Sequence, residues 1–257
     1  MMKRAEPYGI KFIICMHDRY MLDSTWGSCD GYCSQYVQPA GTLDGFYRNK
    51  DAINAYDQRL QHIVSHQSVN YTGKTWAQLS NVIFAFEIQN EGQASGAPNG
   101  YDYSVDVGDR NWWCGRATAL KASAAYQGSS IYVSTGGGKD FYESILDEHF
   151  ACGALDVIAL HSYSTDINDV TNNLESAVQK ATTKYVLFEE YGTNVGSDKA
   201  QWFQSVAQTA ATLSAKYVNP ISWMPWEAVN PGNPNDYEFW DDDAFIAVAT
   251  AAKSLNP

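Results

Sequence analysis

The chain reads as an α/β protein with a parallel sheet, and three observations carry that reading. Six short apolar runs, at residues 10–16, 82–89, 130–135, 155–161, 185–190 and 221–226, alternate with segments of helical spacing. Near-continuous apolar strands separated by helices are the pattern of βα units, because strands of a parallel sheet are covered on both faces. Polar residues gather at the carboxyl end of nearly every run: His17-Asp18, Asn90-Glu91, His161-Ser162-Tyr163, Glu189-Glu190-Tyr191, and Trp223 with Trp226-Glu227. Chemistry at several strand ends at once is the habit of a TIM-type (β/α) barrel, whereas an open doubly wound sheet concentrates it at one switch point. Length agrees: 257 residues with no internal repeat, low-complexity tract or linker suit one domain over residues 1–257. Six countable strands make the expected barrel an incomplete one, with about six parallel strands.

The elements follow in order. Run 10–16 ends at His17, and a stretch at 22–48 that reads as loop precedes helical spacing at 50–66. Run 82–89 leads into Asn90-Glu91, a second long loop at 92–113, and a helix at 115–127. Run 130–135 ends in Thr135-Gly136-Gly137-Gly138-Lys139, which lacks the spacing of a phosphate loop and reads as a flexible connection to a helix at 140–148. Run 155–161 leads to a helix at 167–182. Run 185–190 leads to one at 198–216, where Ser197-Asp198 stands ahead of Trp202, Val206 and Ala210. Run 221–226 precedes a helix at 242–254, opened by Asp241-Asp242-Asp243 as acidic helix starts are.

Composition removes several classes of function. Seventeen basic against 29 acidic side chains leave a formal charge of −12, which repels phosphate backbones and anionic membranes. No apolar run approaches the roughly 20 residues that span a bilayer. No nucleic-acid partner and no membrane partner are expected. Aromatic residues make up 14% of the chain, with 17 Tyr and 8 Trp. A Tyr-rich surface is the plain reading; the sharper one is a ligand with flat apolar faces and polar edges, as a sugar ring has.

Of five cysteines, Cys29 and Cys33 sit in a polar loop where a small disulfide fits, and Cys114 and Cys152 can pair across two other loops. Cys15 lies in an apolar strand and reads as a buried free thiol. No second Cys or His cluster near Cys29 and Cys33 has zinc-ligand spacing, and His62 and His66, four apart on a helix, have no third ligand nearby, so no metal site is assigned. The cysteines and the acceptor triplet Asn70-Tyr71-Thr72 point to an oxidised, secreted protein whose leader is not in this sequence.

Two strand ends carry a Glu in a setting that suggests chemistry, Glu91 after Asn90 and Glu190 before Tyr191-Gly192. Breaking a glycosidic bond needs one protonated carboxyl to give a proton to the leaving oxygen, and one carboxylate to attack the anomeric carbon or activate water. A lone Glu at a strand end is usually a solvated rim residue; the pair with its neighbours says more. There is no Gly-x-Ser-x-Gly elbow to support Ser/His/Asp hydrolysis.

Asn90-Glu91, His161-Ser162-Tyr163 and Glu190-Tyr191-Gly192 resemble the motif set of glycoside hydrolase family 5, retaining barrel glycosidases. Tyr71-Thr72-Gly73-Lys74, the run from Asn81 to Glu87, and Leu187-Phe188-Glu189-Glu190 are similar to its fungal and plant endo-β-mannanases. The likeness runs patchily from about Tyr8 to Trp226. It implies Glu91 as general acid/base, Glu190 as nucleophile, Asn90 bonding the neighbouring sugar hydroxyl, and Tyr163 holding the Glu190 carboxylate. It also implies His17 and His161 along the cleaved-sugar subsite and Trp226 as its stacking floor. Glu189 is the competing nucleophile, which strand alternation sets on the opposite face from Glu190. Glu87 shares a face with Glu91 and reads as a buried structural partner. Trp112 and Trp113 are candidates both for a sugar platform and for packing over the barrel top, and Trp240 reads as packing at a helix start.

Two departures stand out. Gly92 occupies the place where these mannanases usually have Pro. The segment from Tyr8 to His17 resembles the third barrel strand, so the first two βα units, and the family arginine near the nucleophile, have no counterpart. The expected function is a cofactor-independent, retaining endo-β-glycosidase acting by double displacement on a polysaccharide or oligosaccharide, with β-mannan leading. In such an enzyme the two carboxyl groups stand about 5–5.5 Å apart. The alternatives are a β-1,4- or mixed-linkage glucanase and a carbohydrate-binding pseudoenzyme. Open sheet edges make a homodimer that covers them a further hypothesis.

Overall fold

A computed structural model describes residues 1–23, 28–92, 110–194, 199–217, 219–229, 237–240 and 242–255. Six strands form one sheet in sequence order: β1 (Phe12–Cys15), β2 (Ile83–Glu87), β3 (Tyr132–Ser134), β4 (Val157–His161), β5 (Tyr185–Tyr191) and β6 (Ile221–Pro225). The pairs β1–β2, β2–β3, β3–β4 and β5–β6 are parallel. Parallel neighbours in sequence order, with helices between them, make this an incomplete TIM-type barrel of six strands. The expected runs hold, five of them trimmed at their ends and β5 longer by one residue. By backbone proximity the chain divides into two compact units, Met1–Gly138 with Leu146–Val157, and Lys139–Ile145 with Ile158–Pro257.

In the first unit, helix α1 (Lys50–Ser65) starts where the Asn49 side chain accepts from the Asp51 and Ala52 amides. Its buried stripe is Ala52, Tyr56, Leu60 and Val64, one residue per turn. This helix fixes the sheet at the end that matters: Tyr56 donates to the Ile88 carbonyl at 2.5 Å and Arg59 to the Met16 carbonyl at 3.0 Å. Helix α2 (Trp112–Ala122) begins earlier than its sequence suggests, and the Cys114–Cys152 disulfide ties it to a short helix at Asp147–Ala151. The stretch at 22–48 is not all loop: helical turns occupy Cys33–Val37, Gln38–Ala40 and Asp44–Tyr47, and Cys29 pairs with Cys33. Cys15 is a free thiol but is exposed, contrary to the buried reading. It ends β1, which has a sheet neighbour on one side only among the described residues and is nowhere fully buried.

In the second unit, the expected single helix at 140–148 is broken. Phe141–Ser144 forms one turn here, capped by the Asp140 carboxylate, and the later turn lies in the first unit. Helices α3 (Ile167–Lys180) and α4 (Lys199–Tyr217) cover the sheet with Val170, Leu174, Ala177 and Val178, and with Phe203, Val206, Ala207, Ala210 and Leu213. Helix α5 (Asp243–Leu255) packs on α4. Strand β4 is buried throughout, whereas in β6 only Ile221 is buried, Ser222 and Met224 are exposed and Trp223 and Pro225 half-buried, as suits a strand with one sheet neighbour among the described residues. The start signals at Ser197-Asp198 and Asp241, and residues 93–109 of the long loop after Gly92, lie outside the described residues.

Candidate active site

In the first unit, Glu91 follows β2 in the left-handed backbone region, with φ of 47°, and is buried. A non-glycine residue there is strained, by roughly 1–2 kcal/mol, and persists only where its surroundings fix it. They do. Asn90 N donates to the His17 carbonyl at 2.9 Å, Arg19 N to the Asn90 carbonyl at 3.1 Å, and Glu91 N to the Gly136 carbonyl at 3.0 Å. Gly136 has φ of 93°, and a Cβ there would stand 2.3 Å from the Gln89 carbonyl oxygen. The glycine run is therefore a shaped, buried support for Glu91 and not merely a flexible connection.

The Glu91 carboxylate accepts from the Tyr20 hydroxyl at 2.5 Å. Burial first, and then the Glu91 charge, push the Tyr20 hydroxyl far up, so it remains a donor at any working pH. Tyr20 was not singled out from the sequence; its one signal is its place three residues past His17 at a strand end. His17 is buried with both ring nitrogens engaged: Nε2 meets Asp30 Oδ2 at 2.9 Å, and Gln89 Nε2 meets Nδ1 at 2.9 Å. Its ring stacks on Phe46 at 5.7 Å and meets Tyr56 edge-on. His17 thus braces Gln89, the neighbour of Asn90-Glu91.

Trp112 and Trp113 lie in the first turn of α2, and both are buried, against Tyr47, Phe46 and Tyr56 in one case and Tyr47 and His149 in the other. Of the two readings open for them, packing is the one observed. A Cβ on Gly92 would stand 2.4 Å from Trp113 Cζ2 and 2.6 Å from Gln89 Oε1, which gives the departure from Pro a local cause: the indole occupies the space. Glu87 is buried and stands in register with Cys15 and Ser134.

In the second unit, His161, Tyr163 and Glu190 come together. Tyr163 donates to Glu190 Oε1 at 2.5 Å, and His161 Nδ1 lies 3.6 Å from Glu190 Oε2. Ser162 N donates to the Glu190 carbonyl at 3.0 Å, and Ser162 Oγ to Asp140 at 2.9 Å, so the end of β4 is anchored twice at the residue just before the tyrosine. Glu189 departs from the alternation expected of it. Its Oε2 lies 3.7 Å from His161 Nε2, so both glutamates approach the same imidazole. The register of β5 against β6 is irregular between Phe188 and Tyr191, and an irregularity of that kind re-aims side chains. Tyr191 is buried between Phe188 and Phe203, and its carbonyl accepts from Trp226 N at 2.8 Å. Gly192 leaves room for the Trp226 carbonyl, 2.7 Å from where a Cβ would be. Trp226 itself is 42% exposed, and Trp240 51%.

No protein-family model and no curated protein sequence matches the chain. Solved structures do. An endo-1,4-β-mannanase from Rhizomucor miehei superposes with a TM-score of 0.76 at 18% identity, covering 99% of this chain and 74% of that one. A family 5 lichenase from a Caldicellulosiruptor species gives 0.56 at 12% identity, over 81% and 65% of the two chains. An exo-β-1,4-mannosidase from an Opitutaceae bacterium gives 0.53 at 13%, over 90% and 43%. At these identities the likeness is one of fold, that of the (β/α) barrel.

Proposed function

We propose that the chain is a retaining endo-β-glycosidase of the family 5 type that hydrolyses β-1,4-linked polysaccharide, β-mannan first. The observation that carries the reading is that each of two strand-end glutamates is held by a tyrosine hydroxyl at 2.5 Å, Glu91 by Tyr20 and Glu190 by Tyr163. A carboxyl group fixed by one oxygen keeps a defined aim for the other, which both proton transfer and nucleophilic attack need. In the first step Glu190 attacks the anomeric carbon while Glu91 gives its proton to the leaving sugar oxygen as the glycosidic bond breaks. In the second, water attacks the same carbon, Glu91 takes the proton, and the bond to Glu190 breaks. Asn90 would bond the adjacent sugar hydroxyl, and the exposed Trp226 ring would stack on the sugar face.

Mannan ranks before glucan because the superposition on the mannanase extends over nearly the whole chain, with a higher TM-score than on the lichenase. Two disulfides suit an oxidising, extracellular setting, and no described helix is long and apolar enough to cross a membrane. A second copy covering the edges of β1 and β6 belongs to the same proposal. The test is reducing-sugar release from β-mannan and mixed-linkage β-glucan in parallel, with Glu190→Gln and Glu91→Gln as controls. Release that vanishes in both controls supports the reading and names the polymer. Binding to the polymer without release would replace it with a carbohydrate-binding role.

A further inference from the structure

Glu189 has no part in the double displacement, yet it is mostly buried and aimed at the ring that faces Glu190. Its side chain is 10% exposed, that of Glu190 14%, and that of His161 1%. The imidazole stands between the two carboxylates, with Nε2 3.7 Å from one and Nδ1 3.6 Å from the other. These separations are longer than hydrogen bonds and within ion-pair reach. Within this unit both glutamates are titratable groups that face the ring, while Ser144 Oγ on the neighbouring short helix accepts from the His161 backbone amide. Tyr163 holds the far side of Glu190.

We propose that Glu189 is a positioning residue that acts through His161. Two carboxylates facing the two nitrogens of one imidazole favour the doubly protonated ring, because each can receive one N–H and neither nitrogen is asked to accept. A cationic His161 gives the Glu190 carboxylate a fixed positive neighbour, favours its ionised form, and resists its rotation away from Tyr163. The irregular register of β5 is what makes this possible, since regular alternation would send Glu189 to the other face. The functional consequence rests on the reading of Glu190 as the nucleophile; the coupling between Glu189 and His161 does not.

The experiment is an NMR titration of the histidine side chains in the full chain, with the His161 resonance identified by its loss in His161→Gln. The His161 ring is expected to be protonated at both nitrogens at pH 7, titrating above the ordinary imidazole value of about 6.5. Glu189→Gln is expected to lower that midpoint by about one unit, a tenfold fall in the ratio of charged to neutral ring. Glu189→Asp, which keeps the charge, restores part of it. In turnover, Glu189→Gln lowers kcat with KM little changed and shifts the pH profile. A neutral His161 at pH 7 in the unmodified chain overturns the proposal, as does a midpoint unmoved by Glu189→Gln. If neither variant folds, the unmodified chain still decides. A charged His161 in a chain that releases no sugar overturns the glycosidase reading and leaves this coupling standing.

Discussion

Gly92 lies against Trp113 so closely that a Cβ would overlap the indole, 2.4 Å from Cζ2. The contact joins the residue after Glu91 to the first turn of α2, and with Tyr47, whose hydroxyl meets both Gln89 Oε1 and the Gly92 carbonyl, it closes the packing behind the strand end. Gly92→Ala is expected to destabilise the protein by about 1–3 kcal/mol, the range for overpacking a filled site. Chemical denaturation measures this, and an unchanged midpoint would mean that the indole moves aside freely.

The two tyrosines give paired expectations. Tyr163→Phe and Tyr20→Phe each remove one partly buried hydrogen bond to a carboxylate, worth about 1.5–3 kcal/mol. Each should lower kcat on the polymer by about 10- to 100-fold, with KM changing less. Circular dichroism of both variants should match the parent, because each described hydroxyl bond runs to a carboxylate side chain.

Asp30 makes stability depend on acid. Burial opposes its ionisation, but hydrogen bonds from His17 and from the Cys33 and Tyr32 amides outweigh that, and its carboxyl sits below the ordinary range. A lowered folded-state value means that the ionised group adds stability above the unfolded carboxylate range, and that this is lost as pH falls through the lowered value. Asp30→Asn should therefore lower the melting temperature at pH 7 and flatten its fall between about pH 4 and pH 2. Thermal melts of both proteins across that window test the sign.

The Cys114–Cys152 bridge closes a loop of sequence separation 38. In the chain-entropy account such a loop is worth about 4 kcal/mol to the folded state. Cys114→Ser with Cys152→Ser should lower stability by about 2–4 kcal/mol, read from urea midpoints with and without a reductant in the parent.

Ile10 and Met224, beside β1 and on β6, are exposed, and each of these strands has one sheet neighbour among the described residues. Light scattering should return twice the 28.5 kDa of one chain if a second copy covers them. A value of one chain mass at micromolar concentration would remove the dimer from the proposal.

The strands were legible because each is a short apolar run ending in polar residues, and α1 was legible because Asn49 and the stripe from Ala52 to Val64 are local signals. The start of α2 was not, since two tryptophans after a polar loop look alike whether they cap a barrel or begin a helix; only tertiary packing on Tyr47 and Phe46 decides. Glu190 and Tyr163 could be singled out through motifs. Tyr20 could not, because it reaches Glu91 across 71 residues, and Glu189 stood out only as a rival nucleophile, since its approach to His161 is a tertiary contact that no local pattern encodes. The exposure of Cys15 escaped for a related reason: an edge strand and a central one can share the same apolar run.

The backbone of Glu91 has an evolutionary consequence. Its φ of 47° is comfortable for glycine and tolerable for asparagine, and glutamate is a poor occupant. A library selected for heat resistance alone should drift toward Gly or Asn at position 91, gaining melting temperature as it does so. A library selected on sugar release should keep Glu and accept the cooler optimum. The ratio of those outcomes would read, residue by residue, how much stability this fold gives up to hold a carboxyl group at that point.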